Sequence, residues 1–385
     1  MAYGRGVKGW SRLLGLAWVV LFAGAAQAAE WHVALGGRNA NSGSQERPWA
    51  TLQHAVDQAR PGDVILVHEG VYEGCRITTS GREDAWLTLM AAPGEKVVIN
   101  RPGPQNRHRS NLELETWEGD RTVSYWVIQG FEVADAPWAG IDARGQNDAF
   151  NHHIAVKGNE VHHSGRTGIF SAFCDDLLIE GNQSHHNGEH GVYVSNSSDR
   201  PLIKENLCHD NHACGLHLNG DASIGGDGLI AGARIEGNVL HGNGRGGGAA
   251  INLDGVVESE LLSNTIFNNL AGGVAIFYDN GAQASRDLRL ENNLIRMPLG
   301  SRWAVNIADR ACRNIVMLNN TLFHADPRRG ALRAPTADLP GLQSDYNRVS
   351  DRFSVNSGIS LISLAAWQAY GQDLNSSVVS EADLP

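Results

Sequence analysis

Short runs in which apolar and polar residues alternate with period two recur through the middle of the chain, and each run ends at an asparagine. Leu177-Leu178-Ile179 precedes Asn182, and Ala233-Arg234-Ile235 precedes Asn238. Seven such asparagines, Asn159, Asn182, Asn206, Asn238, Asn264, Asn293 and Asn320, follow one another at spacings of 23, 24, 32, 26, 29 and 27 residues. After most of them comes a turn and a second strand of the form Gly-apolar-x-apolar, as in Gly168-Ile169-Phe170-Ser171, Gly191-Val192-Tyr193-Val194 and Gly215-Leu216-His217-Leu218. A repeat length in the twenties built from short strands and Gly/Asn turns predicts a solenoid whose coils stack only on their neighbours. Helical repeats would need longer stretches of period 3.6, and a leucine-rich repeat would need a leucine scaffold that is absent. The pattern therefore predicts an all-β chain folded as a right-handed parallel β-helix. Coils about 4.8 Å apart would turn each column of equivalent residues into a ladder, and the asparagines would form a buried amide ladder of structural rather than catalytic role.

The flanking text divides the chain into four parts. Residues 1–28 carry Arg5, Lys8 and Arg12, an apolar run from Leu13 to Ala23, and Ala26-Gln27-Ala28, the pattern of a secretory signal with a small-residue cleavage site. Its apolar core is short for a membrane span, and no later segment is apolar enough to cross a membrane. Residues 29–75 read as an N-terminal cap of strand, helix and strand. Thr51 to Ala59 is the helix, with Leu52, Ala55, Val56 and Ala59 on one face, covering the open end of the first coil. Coils fill residues 76–330, and residues 331–385 close the solenoid.

Within this frame several motifs resemble a known group. Gly36 to Ser44, Pro48-Trp49-Ala50-Thr51-Leu52, Pro61-Gly62-Asp63-Val64-Ile65-Leu66-Val67 and Gly70-Val71-Tyr72 are similar to the start of secreted right-handed β-helix proteins of the pectate-lyase-like superfamily. Ser344-Asp345-Tyr346-Asn347, Trp367 and Gly371 to Ser376 resemble that group's last coils. The resemblance spans nearly the whole chain after the signal. It implies the β-helix fold, export to a secreted or periplasmic location, and a polysaccharide partner. The reaction stays open, because relatives include polysaccharide lyases, uronate C5-epimerases and glycoside hydrolases. The epimerase D-P-H-D signature is missing here.

Charge narrows the partners. The full chain has 31 basic and 42 acidic residues, a formal net charge of −11. Loss of the three basic signal residues leaves 28 against 42, near −14. An excess of this sign argues against nucleic acid or an anionic membrane as a general partner. An acidic glycan would have to meet local arginines or bridging cations. The five cysteines are odd in number and show no paired CxxC spacing, so no metal is assigned to them and their pairing stays open. Cys208 falls in an inward column with Val161, Leu240 and Ile266, as small apolar filler. The chain is expected to be a monomer.

Candidate chemistry follows from strand alternation, which turns every second side chain of the Gly-apolar-x-apolar strand outward. One outward column reads Asp142, Phe170, Tyr193, His217, Asn252, Ala275 and Asn306. The next reads Arg144, Ala172, Ser195, Asn219, Asp254, Phe277 and Ala308, with Tyr278, Asp279 and Asp309 at strand ends. Tyr193 and His217 should lie one coil apart. The excursion Asp221 to Gly232 and the glycines Gly244 to Gly248 could wall a groove beside them.

Tyr, His, Asn and Arg on one face suit proton abstraction beside a uronate carboxylate, leading to β-elimination. Here His217 and Tyr193 are the proton carriers in either order, and Asn252 and Asp254 complete the catalytic set. Asp142, Arg144, Phe170, Asn219, Phe277 and Tyr278 are the expected substrate contacts. With only four lysines in the chain, a lysine-base lyase is less attractive. Asp254 with Asp279 would be the carboxylate pair of a hydrolase, or a site for Ca2+, the one cofactor left open. A non-catalytic glycan-binding scaffold is the rival of another class. A second histidine column, His162, His185, His209 and His241, is expected to be a structural turn ladder rather than a metal site.

Overall fold

The computed structural model describes residues 28–116, 121–147 and 149–384. The signal segment therefore lies outside the described residues, apart from Ala28. Three parallel sheets of fourteen, eleven and twelve strands run the length of the molecule, and successive coils contribute in turn to each. This is the expected β-helix, and among the described residues no helix is long and apolar enough to cross a membrane.

The asparagine ladder holds the coils in register. Asn182 Nδ2 donates to Asn206 Oδ1 at 3.0 Å and to the Val156 carbonyl at 2.9 Å, while Asn182 Oδ1 accepts from the Asn159 amide at 3.0 Å. The same linkage continues through Asn238, Asn264, Asn293, Asn320 and Asn347. Each side chain thus satisfies turn backbone that would otherwise be buried without partners. A second ladder, not singled out in the sequence, runs one turn later through Asn187, Asn211, Asn243 and Asn269. Its signal was present as two asparagines five positions apart, as in Asn182 to Asn187 and Asn206 to Asn211.

The glycine that opens the Gly-apolar-x-apolar strand has a packing cause. A Cβ on Gly168 would lie 2.2 Å from Ser184 Oγ, and one on Gly215 would lie 2.6 Å from Leu240 Cδ2. Inward side chains of the twelve-stranded sheet pack directly against this backbone and leave no room for a side chain. Inside, Val161, Cys208, Leu240 and Ile266 are buried in one continuous core. Ser184, paired with both Val161 and Cys208, is a polar member of the same column, and its hydroxyl donates to the Gly191 carbonyl at 2.7 Å. All five cysteines are buried and free.

Both ends are closed as polar edges require. The helix Leu52–Gln58 is capped by Thr51 Oγ1, which accepts from the His54 amide at 3.2 Å. It buries Leu52, Ala55 and Val56. Gln53 completes the first edge of the eleven-stranded sheet, with Oε1 accepting from the Arg76 amide and Nε2 donating to the Arg76 carbonyl, both at 2.9 Å. One side chain imitates a neighbouring strand there. At the far end Trp367, in the helix Leu364–Gln368, stacks on Phe353 with ring centroids 5.4 Å apart.

Candidate active-site groove

The eleven-stranded sheet carries the expected columns in the expected register. Asp142 pairs with Phe170, Phe170 with Tyr193, Tyr193 with His217, His217 with Asn252, Asn252 with Ala275, and Ala275 with Asn306. The second column runs Arg144, Ala172, Ser195, Asn219, Asp254 and Phe277 in the same pairings.

Outward does not mean exposed along this face. Asp142, Phe170, Asn219 and Asp254 are buried, whereas Tyr278 is 44% exposed. Trp138 covers the upstream end, its ring 4.8 Å from that of Phe170. The Arg144 guanidinium lies over both rings and pairs with Asp142, Nη2 to Oδ2 at 3.1 Å. Arg144 is thus oriented by Asp142, and Phe170 packs edge-on against Trp138. Arg144, Phe170 and Trp138 line the upstream cavity together, while Asp142 is buried behind them. One coil upstream, the Glu113 carboxylate accepts from the amides of Arg107, His108 and Ser110 at 2.7, 2.8 and 3.2 Å. It thereby anchors the arginine-rich excursion.

Asp254 also takes a different part from the one expected. Its oxygens accept from the Asp279 and Asn280 amides at 2.9 and 2.7 Å, and it is fully buried. A carboxylate satisfied by backbone N–H groups holds a turn. Its burial and these two backbone bonds give it a turn-holding part, which argues against the hydrolase or calcium role expected of it with Asp279. Asp279 itself is exposed in the groove wall.

The centre of the face holds Tyr193, His217 and a third residue that the columns did not include, His190. Tyr193 and His217 stack with centroids 4.8 Å apart and an interplanar angle of 17°. Asn219 Nδ2 donates to Tyr193 Oη at 3.1 Å. The Cys214 backbone N–H donates to His190 Nδ1 at 3.2 Å, and His190 Nε2 lies 3.3 Å from His217 Nδ1. Only an amide can be the donor in the first contact, so Nδ1 of neutral His190 is an acceptor and its proton sits on Nε2. That proton points to His217 Nδ1, which forces the His217 proton onto Nε2. His217 Nε2 is buried without a partner. Burial pushes His217 down to about 3 and His190 down to about 4, so both rings are neutral in ordinary buffers. His217 is therefore a fixed N–H donor. His190 was missed because it lies before the strand, outside the periodic positions.

Cys214 Sγ joins the two imidazoles in a group whose ligand-type atoms lie within 4.8 Å of one another. The hydrogen-bond directions oppose a metal there, because the Cys214 amide occupies the His190 Nδ1 lone pair and leaves a proton on the nitrogen that would have to ligate. Burial also pushes the Cys214 thiol up to about 12, away from thiolate.

The groove continues on both sides of this centre. Upstream, a cavity of about 450 Å³ is lined by Arg166, Tyr193, Ser195, Asp221 and Ile224, so the excursion expected to form a wall does so. Downstream, a cavity of about 480 Å³ is lined by Gly248, Asn252, Phe277, Tyr278, Trp303 and Asn306. The Ala249 amide donates to Asn252 Oδ1 at 3.1 Å, which leaves the Asn252 NH2 group as a donor at that cavity. On another face of the helix, His162, His185, His209 and His241 stack at centroid separations of 5.0, 4.7 and 4.9 Å. Their nitrogens turn to neighbours: His185 to Glu160 and His186, and His209 to Asp210 and Gln183.

Comparison with known proteins adds a lineage to this geometry. A family model described as "Pel9A-like, right handed beta helix region" matches residues 31–254. Among curated proteins, pectate lyase PEL9 of Emericella nidulans is 31% identical over 138 residues, covering 33% of this chain and 32% of that protein. The uncharacterized protein YwoF of Bacillus subtilis is 28% identical over 134 residues, covering 34% and 28%. The chain thus spans about a third of the length of the curated relatives it matches. Among solved structures, pectate lyase Pel9A superposes with a TM-score of 0.52 at 16% identity, covering 83% of this chain and 82% of that one. A structure described as a glycoside hydrolase gives 0.61 at 12% identity, covering 86% and 95%. At these identities the superpositions establish the fold alone.

Proposed function

The chain belongs to the Pel9A-like right-handed β-helix family, and from that premise we propose that it is an exported carbohydrate-active enzyme that cleaves a uronate-containing polysaccharide by β-elimination. The observation that carries the reading is the directed chain from the Cys214 amide through His190 to His217. It holds a neutral imidazole N–H, shut from bulk water, beside a tyrosine hydroxyl in a groove.

The C5 proton of a uronate is weakly acidic because its removal loads negative charge onto the carboxylate. Donors placed at that carboxylate lower the barrier. His217 Nε2–H is one such donor, and a neutral imidazole serves because it donates without needing to ionise. A buried N–H without an acceptor costs roughly 1–3 kcal/mol, and a carboxylate oxygen that enters as the cover over His217 Nε2 opens removes that cost. The Asn252 NH2 group, one coil further on, is the second donor.

Tyr193 is the proton carrier. As phenolate it takes the C5 proton, the C5 electron pair becomes the C4–C5 double bond, and the C4–O4 bond breaks. The phenol so formed gives its proton to the departing O4, restoring the starting state. The sequence left His217 and Tyr193 interchangeable as acid and base; the hydrogen-bond directions support this division instead.

Product chemistry tests the reaction. Incubation with polygalacturonate and with alginate should release oligomers carrying an unsaturated, ultraviolet-absorbing end. Saturated ends with a water-derived reducing group would contradict elimination. Binding with no product from any uronate polymer would favour a scaffold.

A further inference from the structure

Three arginines converge at the downstream end of the groove without acidic partners, although the chain as a whole carries a net charge of −11. Arg302, Arg329 and Arg333 line a cavity of about 310 Å³ together with Trp303, Asn306 and Ser357, and no carboxylate is among its lining residues. Among the described residues none of the three makes an ion pair. Arg333 Nη1 donates to Asn306 Oδ1 at 2.6 Å, and Arg329 Nη1 donates to the Arg328 carbonyl at 3.0 Å. The contrast with the upstream arginines is direct. Arg144 is held by Asp142 at 3.1 Å, and Arg166 by Glu189 at 2.8 Å.

This cavity is continuous with the groove, since Arg302, Trp303 and Asn306 line both it and the cavity containing Asn252. Arg333 stands in the same column as Tyr193, through His217, Asn252, Ala275 and Asn306. Five coil spacings of about 4.8 Å put it about 24 Å from Tyr193, beyond reach of the reacting sugar. Like charges gathered in a half-buried cavity repel, and Arg333 is held below the usual guanidinium range by burial and by Arg329. An anion relieves that repulsion, and guanidinium geometry suits a carboxylate through paired N–H donors. Trp303, almost fully buried, forms the floor of the cavity beside them.

We propose that Arg302, Arg329 and Arg333 form a remote subsite for the carboxylate of a uronate in a glycan lying along the groove. The assignment rests on the groove reading above for its orientation, but not on any catalytic step. It makes the binding of acidic glycans depend on a patch that touches no reacting atom.

The test is binding by the full chain in a Tyr193→Phe background, by calorimetry with polygalacturonate, alginate, their carboxyl-reduced neutral forms and a sulfated carrageenan. Arg302→Gln combined with Arg333→Gln should weaken uronate binding by roughly tenfold or more and flatten its salt dependence. Binding of the neutral forms should not change. Arg302 is exposed, so the single Arg302→Gln variant keeps the fold and should show a smaller loss in the same direction. Unchanged uronate affinity in the double variant overturns the subsite, as does a wild-type chain that binds no uronate polymer. Carrageenan bound as tightly as the uronates overturns the carboxylate assignment. Arginine-dependent binding by a chain that releases no unsaturated product keeps the subsite and rejects the lyase. Unsaturated product with arginine-independent binding does the reverse.

Discussion

His190 hands its only ring proton to His217 across 3.3 Å, because the Cys214 amide already occupies the other His190 nitrogen. The tautomer of the central groove histidine is thus set, through His190, by the backbone N–H three residues before it in its own coil. His190 is a positioning residue. His190→Phe removes the donor and frees the His217 ring to protonate on either nitrogen. Turnover should fall by roughly 10- to 100-fold with KM little changed. The ring nitrogens of His217 should also change in a nitrogen-15 NMR spectrum, from one Nε2–H tautomer to a mixture. A turnover loss with the His217 spectrum unaltered would reduce His190 to a packing role.

The same two rings make the fold acid-sensitive. Both have pKa values depressed by burial, to about 3 and about 4, so between those values and the ordinary 6.5 the unfolded chain binds protons that the folded chain does not. Stability should therefore be level above about pH 6.5 and fall as pH drops below it. The slope is up to about 1.4 kcal/mol per pH unit for each ring that stays neutral. Thermal unfolding from pH 8 to pH 4 measures this. His190→Asn with His217→Gln should flatten the slope, and an unaltered slope would place the acid sensitivity elsewhere.

Asn206 is held on four sides. Its amide donates to Asn238 Oδ1 and to the Ile179 carbonyl, both at 2.9 Å, and its oxygen accepts from the Asn182 amide and side chain at 2.9 and 3.0 Å. Asn206→Ala leaves several of these buried groups unpaired and should destabilise by about 2–5 kcal/mol. Chemical denaturation measures the loss, and a change below about 0.5 kcal/mol would contradict a ladder that carries stability.

The stacked histidines are expected to be structural. Neighbouring rings face one another, with interplanar angles of 17°, 9° and 13°. His185 turns to Glu160 and His186, and among the described residues His209 is the one ladder member in a cluster of ligand-type atoms, with His186 and Asp210 within 4.8 Å of one another. Purified protein should hold no stoichiometric zinc after mild dialysis. Retained zinc that disappears on changing His185 and His209 to Gln would overturn this.

The repeat made the fold and the register of both groove columns readable, because each ladder asparagine recurs once per coil where it bonds the neighbouring turns, and strand alternation does the rest. Burial along the groove was not readable. Trp138 packs against Phe170 and Arg144 at the edge of the upstream cavity, and Asp254 accepts from the Asp279 and Asn280 amides. Both segments lie outside the periodic strands. The arginine cluster was hidden for the same reason. Arg333 is in the column, but Arg302 and Arg329 come from turns that only the folded coils bring beside it.

The most direct test of the central claim is the rate at which unsaturated product forms from a uronate polymer by the wild type and by Tyr193→Phe. The substitution removes one oxygen from a half-buried ring and leaves its stacking with His217 in place. Loss of roughly 100-fold or more in turnover, with unfolding temperature and glycan affinity preserved, is the expected result. Full turnover by Tyr193→Phe would remove this hydroxyl from the chemistry and contradict the account.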